Sequence, residues 1–218
     1  LGYAYVKLGE TLDPQQTREY LLKAVSSYLE ALRLKPDYAK ALNNLGSVYN
    51  KLGRYPEAVE ILKKAIQAKP DFPEAYYNIA TAYYSRGQYS DAVNAFQQAV
   101  RLKSDYADAY NSLGSALFQT QQYDQAIEAY KRALTLKPDA ETHVNLGKVY
   151  LKTQKFADAA STLKVAVRLK TDYGEAHYYL GAAYVGLRDR KGALEQYNIL
   201  KRIDPKRADA FFQQFLKR

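Results

Sequence analysis

The chain has 218 residues, no cysteine and a formal net charge of +9. The lack of cysteine excludes disulfides, cysteine-ligated zinc and thiol catalysis within this sequence. No apolar run approaches the roughly 20 residues that a membrane-spanning helix needs, so the sequence predicts no transmembrane segment.

A pattern that recurs every 33 or 34 residues dominates the sequence. An apolar residue followed by a small one occurs at Leu45-Gly46, Ile79-Ala80, Leu113-Gly114, Leu146-Gly147 and Leu180-Gly181. An alanine stands twelve residues after each small residue, at Ala58, Ala92, Ala126, Ala159 and Ala193. A fixed period of this length indicates a stack of similar structural repeats.

Residues 1–38 predict a first repeat that is lengthened between its two helices. Twenty-two residues separate Gly2 from Ala24, where later repeats have twelve. The added stretch, Glu10 to Arg18, contains Pro14 and several polar residues, and it predicts an enlarged surface loop that a partner could contact. The chain opens inside a repeat rather than on methionine, which suggests a piece of a longer protein. Localisation, cytoplasmic or periplasmic, therefore cannot be inferred from the sequence.

Residues 39–72 show why each repeat should be a pair of helices. Apolar residues follow helical spacing in two stretches, Leu42 to Leu52 and Ala58 to Ile66. Gly53 suits the end of the first helix, and Pro56 suits the first turn of the second. One such pair cannot bury its own apolar face, so the repeats are expected to stack.

The pattern predicts four more repeats, at residues 73–106, 107–139, 140–173 and 174–207. The last of them carries Arg190 where other repeats have an aromatic residue such as Tyr123. Beyond it, residues 208–218 include three phenylalanines and predict a capping helix that covers the exposed end of the stack.

These repeats resemble the tetratricopeptide repeat. The residues that carry the resemblance are a Leu-Gly pair, Tyr49 three residues later, Ala58 in the second helix and a closing Pro70. The resemblance covers roughly residues 1–207 with about six repeats. It extends to bacterial scaffold proteins of this family and to the repeat domain of protein O-linked N-acetylglucosamine transferases. It implies an all-α fold, a right-handed α-solenoid superhelix of stacked antiparallel helix pairs with a concave groove.

The resemblance further implies a non-catalytic scaffold or adaptor that binds an extended peptide or a helix of a partner protein in this groove. On a helical wheel of residues 39–51, polar side chains lie opposite the apolar face, on the side that lines the groove in the family. The peptide-binding residues predicted in this way are Lys40, Asn43, Asn44, Ser47, Asn50, Tyr77, Asn78, Thr81, Tyr84, Asn111, Ser112, Ser115, Phe118, Asn145, Lys148 and Tyr178. The corresponding wall continues through the apolar residues Val144, Leu151, Tyr179, Ala182 and Val185.

Asparagines recur at one position of this wall. Asn44, Asn78 and Asn145 each precede the apolar residue of the aligned pair, and Ser112 interrupts the series. An asparagine amide both donates and accepts hydrogen bonds, so such a row could pair with the backbone of an extended peptide whatever its sequence.

The sequence offers no recognisable catalytic constellation. His143 and His177 are the only histidines, and they occupy equivalent places on the apolar side of adjacent repeats, which predicts packing residues. One histidine per repeat gives no metal-ligand spacing, and no glycine-rich phosphate loop is present. The sequence therefore predicts no enzyme, no metal and no cofactor.

Two other functions remain open from the sequence. The chain could be a structural subunit or assembly factor of a larger bacterial complex, one that could be associated with a membrane. Residues 187–218 hold nine basic and four acidic residues, and this basic end could attach the protein peripherally to such a complex. It could instead be the targeting domain of a truncated enzyme such as a glycosyltransferase. Nucleic acid is not expected as a partner, because acidic residues are interspersed among the basic ones.

Overall fold

The computed structural model describes residues 1–9 and 13–217. These residues contain no strand and form thirteen α-helices followed by a short π-helix, Phe212–Leu216. The α-helices are α1 (Gly2–Gly9), α2 (Pro14–Leu34), α3 (Ala39–Lys51), α4 (Tyr55–Ala68), α5 (Pro73–Ser85), α6 (Tyr89–Leu102), α7 (Ala107–Gln119), α8 (Tyr123–Leu136), α9 (Ala140–Lys152), α10 (Phe156–Leu169), α11 (Gly174–Gly186), α12 (Arg190–Ile203) and α13 (Pro205–Phe211).

The chain divides into two compact units, Leu1–Ala116 and Leu117–Arg218, and the division falls inside α7. In the first unit, α1 packs on α2, α3 on α4, and α5 on α6, while α2 and α4 also contact the next helix along the chain. In the second unit, consecutive helices from α8 to α13 pack in the same way. The predicted all-α fold of stacked antiparallel helix pairs is confirmed. The extent of a single solenoid, residues 1–207, stays a prediction.

Short turns join the two helices of the second to sixth repeats, and one residue in each of these five turns has a positive φ. Glycine takes this position at Gly53 and Gly87, where φ is 73° in both. In the later turns the residues are Gln121, Gln154 and Arg188, with φ of 61°, 58° and 60°. A left-handed conformation is disfavoured for residues with a Cβ atom, so these three turns retain some backbone strain.

The prediction of an enlarged loop over residues 10–18 is wrong for residues 14–18, which begin α2. The side chain of Asp13 caps this helix by accepting hydrogen bonds from the backbone N–H groups of Gln15 and Gln16, at 2.9 and 3.0 Å. Pro14 then occupies the first helical position, where a missing N–H costs nothing. The added residues therefore lengthen the second helix to 21 residues. Residues 10–12 of the predicted loop lie outside the described residues.

The segment after the sixth repeat also differs in its bounds from the predicted capping helix, residues 208–218. Helix α13 begins at Pro205, with Asp204 as its cap, and a π-helix follows from Phe212. Ala208 and Phe211 are fully buried and pack in one apolar cluster with Ala193 and Leu200 of α12. Residue 218 lies outside the described residues.

Candidate peptide-binding surface

Asparagines of the first unit join two neighbouring first helices. The Nδ2 atom of Asn78 in α5 donates to Oδ1 of Asn43 in α3 at 2.9 Å. Asn50 Nδ2 donates to the backbone oxygen of Asn78 at 2.7 Å. Part of the predicted ladder thus makes hydrogen bonds between repeats, and one of the two side-chain N–H groups of Asn78 is already occupied.

Two residues predicted for the open side of the first helices are buried instead. Asn43 is 7% exposed, and Val144, which stands at the same position of a later repeat, is 1% exposed. The prediction of an open position is wrong for both. In the first unit the reason is that α3 packs directly on α5, so a side chain at this position faces the next first helix rather than solvent.

The other predicted residues of the first unit differ in exposure. Lys40 is exposed, and Asn44, Ser47, Tyr77, Thr81, Tyr84, Asn111, Ser112 and Ser115 are partly exposed. Thr81 and Ser115 donate their hydroxyl protons to backbone oxygens one turn earlier, at 2.9 and 3.2 Å. The ring of Tyr77 contacts Phe96 and Tyr106, with centroids 5.7 and 5.1 Å away. Burial, with Tyr77 and nearby carboxylates, raises the pKa of the Tyr106 hydroxyl.

The second unit contains a cleft of about 590 Å³ that brings three of the predicted peptide-binding residues together. We call it the aromatic cleft. Its lining residues are Phe118, Lys148, Leu151, Lys152, Phe156, Tyr178, Tyr179, Ala182, Gln214 and Phe215. Phe118, Lys148 and Tyr178 are among the predicted peptide-binding residues, and Leu151, Tyr179 and Ala182 belong to the predicted apolar continuation of the wall. Its volume lies within the range of pockets that hold small ligands or a few side chains.

Tyr178 organises the wall of the aromatic cleft. Its ring meets that of Tyr179 edge-on at a centroid distance of 5.3 Å and lies 6.1 Å from that of Phe215. Its hydroxyl donates to Oε1 of Gln214 at 2.5 Å. Burial raises the pKa of both tyrosine hydroxyls, so they remain protonated donors at neutral pH.

Two lysines form a basic rim at the aromatic cleft, and their charges differ in how available they are to a ligand. Lys148 Nζ lies 3.5 Å from Oε1 of Glu175 and 5.5 Å from the ring centroid of Tyr179, so its charge is largely satisfied. Lys152 is exposed and has no carboxylate within ion-pair distance among the described residues. A ligand carboxylate would therefore meet Lys152 as the available cation.

Sequence reasoning missed part of this lining. The helical wheel of the first helices does not predict four of the lining residues, Lys152, Phe156, Gln214 and Phe215. Phe156 begins a second helix, and Gln214 and Phe215 belong to the C-terminal segment. The signal at Phe156 was its place in the series of aromatics that begin second helices, whereas nothing marked Gln214. Asn145 is partly buried and does not line the cleft.

The two histidines lie inside the second unit. His177 is 3% exposed; its Nδ1 lies 2.7 Å from Oε1 of Gln196, and its Nε2 lies 3.0 Å from the backbone oxygen of Thr171. Burial lowers the pKa of His143. Across the described residues, no three metal-binding side chains come together. Among the described helices, none combines the length and apolar character needed to cross a bilayer.

Family comparisons agree with this geometry. Models described as tetratricopeptide repeat match residues 77–141 and 117–171, and one described as TPR repeat matches residues 21–53 and 46–85. The matches together span residues 21–171 without a gap. The chain belongs to the tetratricopeptide-repeat proteins. No curated protein sequence matches it.

Several solved structures share the fold of this tetratricopeptide-repeat protein. YrrB, described as a TPR protein with an unusual peptide-binding site, has a TM-score of 0.76 at 21% identity over 87% of this chain and 99% of its own. PilF of Pseudomonas aeruginosa has a TM-score of 0.78 at 19% identity over 98% and 97%. MamA has a TM-score of 0.72 at 26% identity over 78% and 94%.

The family assignment carries a general function. Tetratricopeptide repeats bind protein partners and are typically non-catalytic, so this protein has a role in protein–protein interaction. The fold alone does not specify the partner, because such repeats serve many tasks.

Proposed function

We propose that this protein is a non-catalytic scaffold that holds an extended segment of a partner protein, with the aromatic cleft as the principal anchor. The observation that carries the proposal is the meeting of Phe118, Lys148 and Tyr178, from three successive first helices, in one cleft of about 590 Å³. Binding sites of this kind combine an apolar lining with a few polar groups that set orientation.

The chemistry of the cleft favours a particular kind of bound segment. Aromatic rings of Tyr178, Tyr179 and Phe215 offer contact area to an apolar side chain, and such contacts usually dominate binding energy. Lys152 offers a charge at the rim. The bound segment is thus expected to insert one large apolar side chain and to place its polar backbone toward Lys148 and Lys152.

The first unit offers a separate set of polar groups for the same purpose. Asn44, Ser47 and Ser112 remain partly exposed on first helices. Their amide and hydroxyl groups can exchange hydrogen bonds with a peptide backbone independently of its side chains. Asn78 contributes less, because Asn43 already accepts one of its two side-chain N–H groups.

The proposal is tested with a library of random twelve-residue peptides displayed on phage and selected on the intact protein. Peptides enriched on the wild type should bind the Ala182→Phe variant at least tenfold more weakly, because the new ring fills the aromatic cleft. Ala157→Phe is the matched control, since Ala157 is exposed on α10 and does not line the cleft. Equal binding by both variants, or no enriched peptide at all, would contradict the proposal.

A further inference from the structure

A second cleft, of about 380 Å³, lies at the end of the sixth repeat, and we call it the terminal cleft. Its lining residues are Val185, Arg188, Arg190, Ala193, Leu194, Tyr197, Phe212, Phe215 and Leu216. It shares only Phe215 with the aromatic cleft. Seven of its nine lining residues are apolar or aromatic, and the other two are arginines.

The terminal cleft occurs where the second to fifth repeats have an aromatic ring. The second helices of four repeats begin with Tyr55, Tyr89, Tyr123 and Phe156. The rings of Tyr89 and Tyr123 pack on residues near the end of the first helix of their own repeat, Tyr84 and Phe118, at centroid distances of 5.2 and 5.7 Å.

Phe156 shows that the same ring also reaches the following repeat. A Cβ atom built on Gly186, at the end of α11, would lie 2.3 Å from Cδ1 of Phe156. The ring of Phe156 thus packs against the first helix of the next repeat. An aromatic residue at this position therefore makes a contact between successive repeats.

In the sixth repeat Arg190 occupies this position, 34 residues after Phe156. Its side chain is exposed, so this position supplies no ring; the ring of Tyr197 in α12 lies 5.8 Å from that of Phe212, and the cleft remains open beside them. Apolar groups that an aromatic ring would cover, such as Val185 and Phe212, therefore line an open cleft. Phe212 is 37% exposed.

Two cations stand at the terminal cleft without an internal partner. Neither Arg188 nor Arg190 has a carboxylate within ion-pair distance among the residues that the structure describes. The backbone turn holds Arg188 in place, with φ of 60° and its N–H donating to the Val185 oxygen at 3.0 Å. Guanidinium groups bind carboxylates by paired hydrogen bonds, so an acidic ligand is the complement of this rim.

We propose that the terminal cleft binds an aromatic side chain from an acidic segment of a partner protein. The ring takes the place that Tyr55, Tyr89, Tyr123 and Phe156 fill in the second to fifth repeats, and carboxylates beside it pair with Arg188 and Arg190. This site shares only Phe215 with the aromatic cleft, so it adds a second point of attachment to the proposed scaffold. Its partner is identified by two features together, an aromatic residue and adjacent negative charge.

The probe for the test is a fluorescein-labelled nine-residue peptide with a central phenylalanine flanked on each side by two aspartates. Two matched peptides carry alanine for phenylalanine or asparagine for the aspartates. Fluorescence anisotropy with the intact protein at low salt should show at least tenfold tighter binding of the acidic phenylalanine peptide than of either control. Equal affinity for the phenylalanine and alanine peptides would overturn the proposal.

The decisive variant is Arg190→Tyr, which supplies the missing ring from within the chain. We expect it to raise the melting temperature and to weaken peptide binding at least tenfold. Lys191→Tyr is the matched control, because it removes the same charge from the next, exposed residue outside the cleft. Unchanged binding by Arg190→Tyr would overturn the proposal.

A second variant keeps the test valid if Arg190→Tyr folds poorly. Arg188→Asp reverses one rim charge at a position whose positive φ aspartate tolerates better than most residues do. It should weaken binding of the acidic phenylalanine peptide and leave binding of the asparagine peptide unchanged. Sedimentation over a range of protein concentrations completes the test. Self-association that Arg190→Tyr abolishes would overturn the proposal in favour of a second copy in the cleft.

The outcome is independent of the proposed peptide anchor in the aromatic cleft. Ala182→Phe should leave binding of the acidic phenylalanine peptide unchanged, and Arg190→Tyr should leave the phage-selected peptides bound to the aromatic cleft. Failure of one site therefore does not imply failure of the other.

Discussion

The side chain of Leu163 lies directly on Gly147. A Cβ atom built on Gly147 would come within 2.6 Å of Cγ of Leu163, and both residues are buried. Gly46 and Leu62 have the same relationship in the second repeat, at 2.4 Å. Glycine at this position lets the two helices of the second and fifth repeats approach closely, whereas in the sixth repeat Gly181 mainly contacts Phe211 of α13, whose ring atoms would lie 2.7 Å from an added Cβ.

Gly147→Ala should therefore destabilise the protein. The added methyl group overpacks the interface between α9 and α10, and we expect the free energy of unfolding to fall by about 1 to 3 kcal/mol. Urea unfolding followed by circular dichroism measures the change. Ser161→Ala, at an exposed position of α10, serves as the control and should stay within about 0.5 kcal/mol of the wild type. A similar stability for both variants would show that Leu163 can move aside.

Glycine should have the opposite effect in the turn after α9. Gln154 has φ of 58°, a conformation that glycine adopts without the steric cost of a Cβ atom. Gln154→Gly should therefore raise the free energy of unfolding by about 0.5 to 1 kcal/mol, as a net of relieved strain and greater unfolded-state entropy.

The control for this change is the same substitution inside a helix. Gln97 is exposed in α6, and Gln97→Gly should lower the free energy of unfolding by about 0.5 to 1 kcal/mol. Chemical unfolding of both variants under identical conditions gives the comparison. Loss of stability in Gln154→Gly would mean that the turn is not strained.

The helix pairs could be predicted from the sequence because the information for them is local and repeated. Apolar spacing, Gly53 in a turn and Pro56 at a helix start each report on a few neighbouring residues, and five copies make the pattern unmistakable. The added residues of the first repeat lacked such copies. Pro14 is compatible with both a loop and the first turn of a helix, and only the capping contacts of Asp13 show that a helix begins there.

The candidate site was less predictable because it depends on contacts between repeats. A helical wheel separates the buried side of one helix from its open side, but it does not show that the next first helix covers Asn43 and Val144. Part of the aromatic cleft could be predicted from the sequence, because Phe118, Lys148 and Tyr178 lie at the same or neighbouring positions on the helical wheel. Gln214 and Phe215 reach it from the C-terminal segment, and no periodicity predicts that contact.

The hydrogen bond from Asn78 to Asn43 leads to a prediction about stability. Asn43 is buried, so Asn78→Ala leaves its Oδ1 atom without this donor and should lower the free energy of unfolding by about 1 to 3 kcal/mol. Ser47→Ala, at a partly exposed position of α3, is the control and should change stability little. A double-mutant cycle with Asn43→Ala measures the coupling. Strictly additive effects of the two substitutions would show that the bond contributes nothing.

His143 should make the stability of the protein depend on pH. Burial lowers the pKa of His143, Asp139 opposes that shift, and Arg168 adds to it. Because the unfolded state then binds a proton more readily than the folded state, protonation favours unfolding. This contribution is absent well above the unfolded pKa of about 6.5, and it grows as the pH falls through that value toward the lower pKa of the folded protein.

The measurement is the free energy of unfolding of the wild type and of His143→Gln between pH 8 and pH 5. The wild type should lose more stability than the variant as the pH falls below about 6.5. All other side chains are the same in both proteins, so the difference between the two curves isolates His143. If the two curves ran parallel across this range, His143 would have the same proton affinity in the folded and unfolded states.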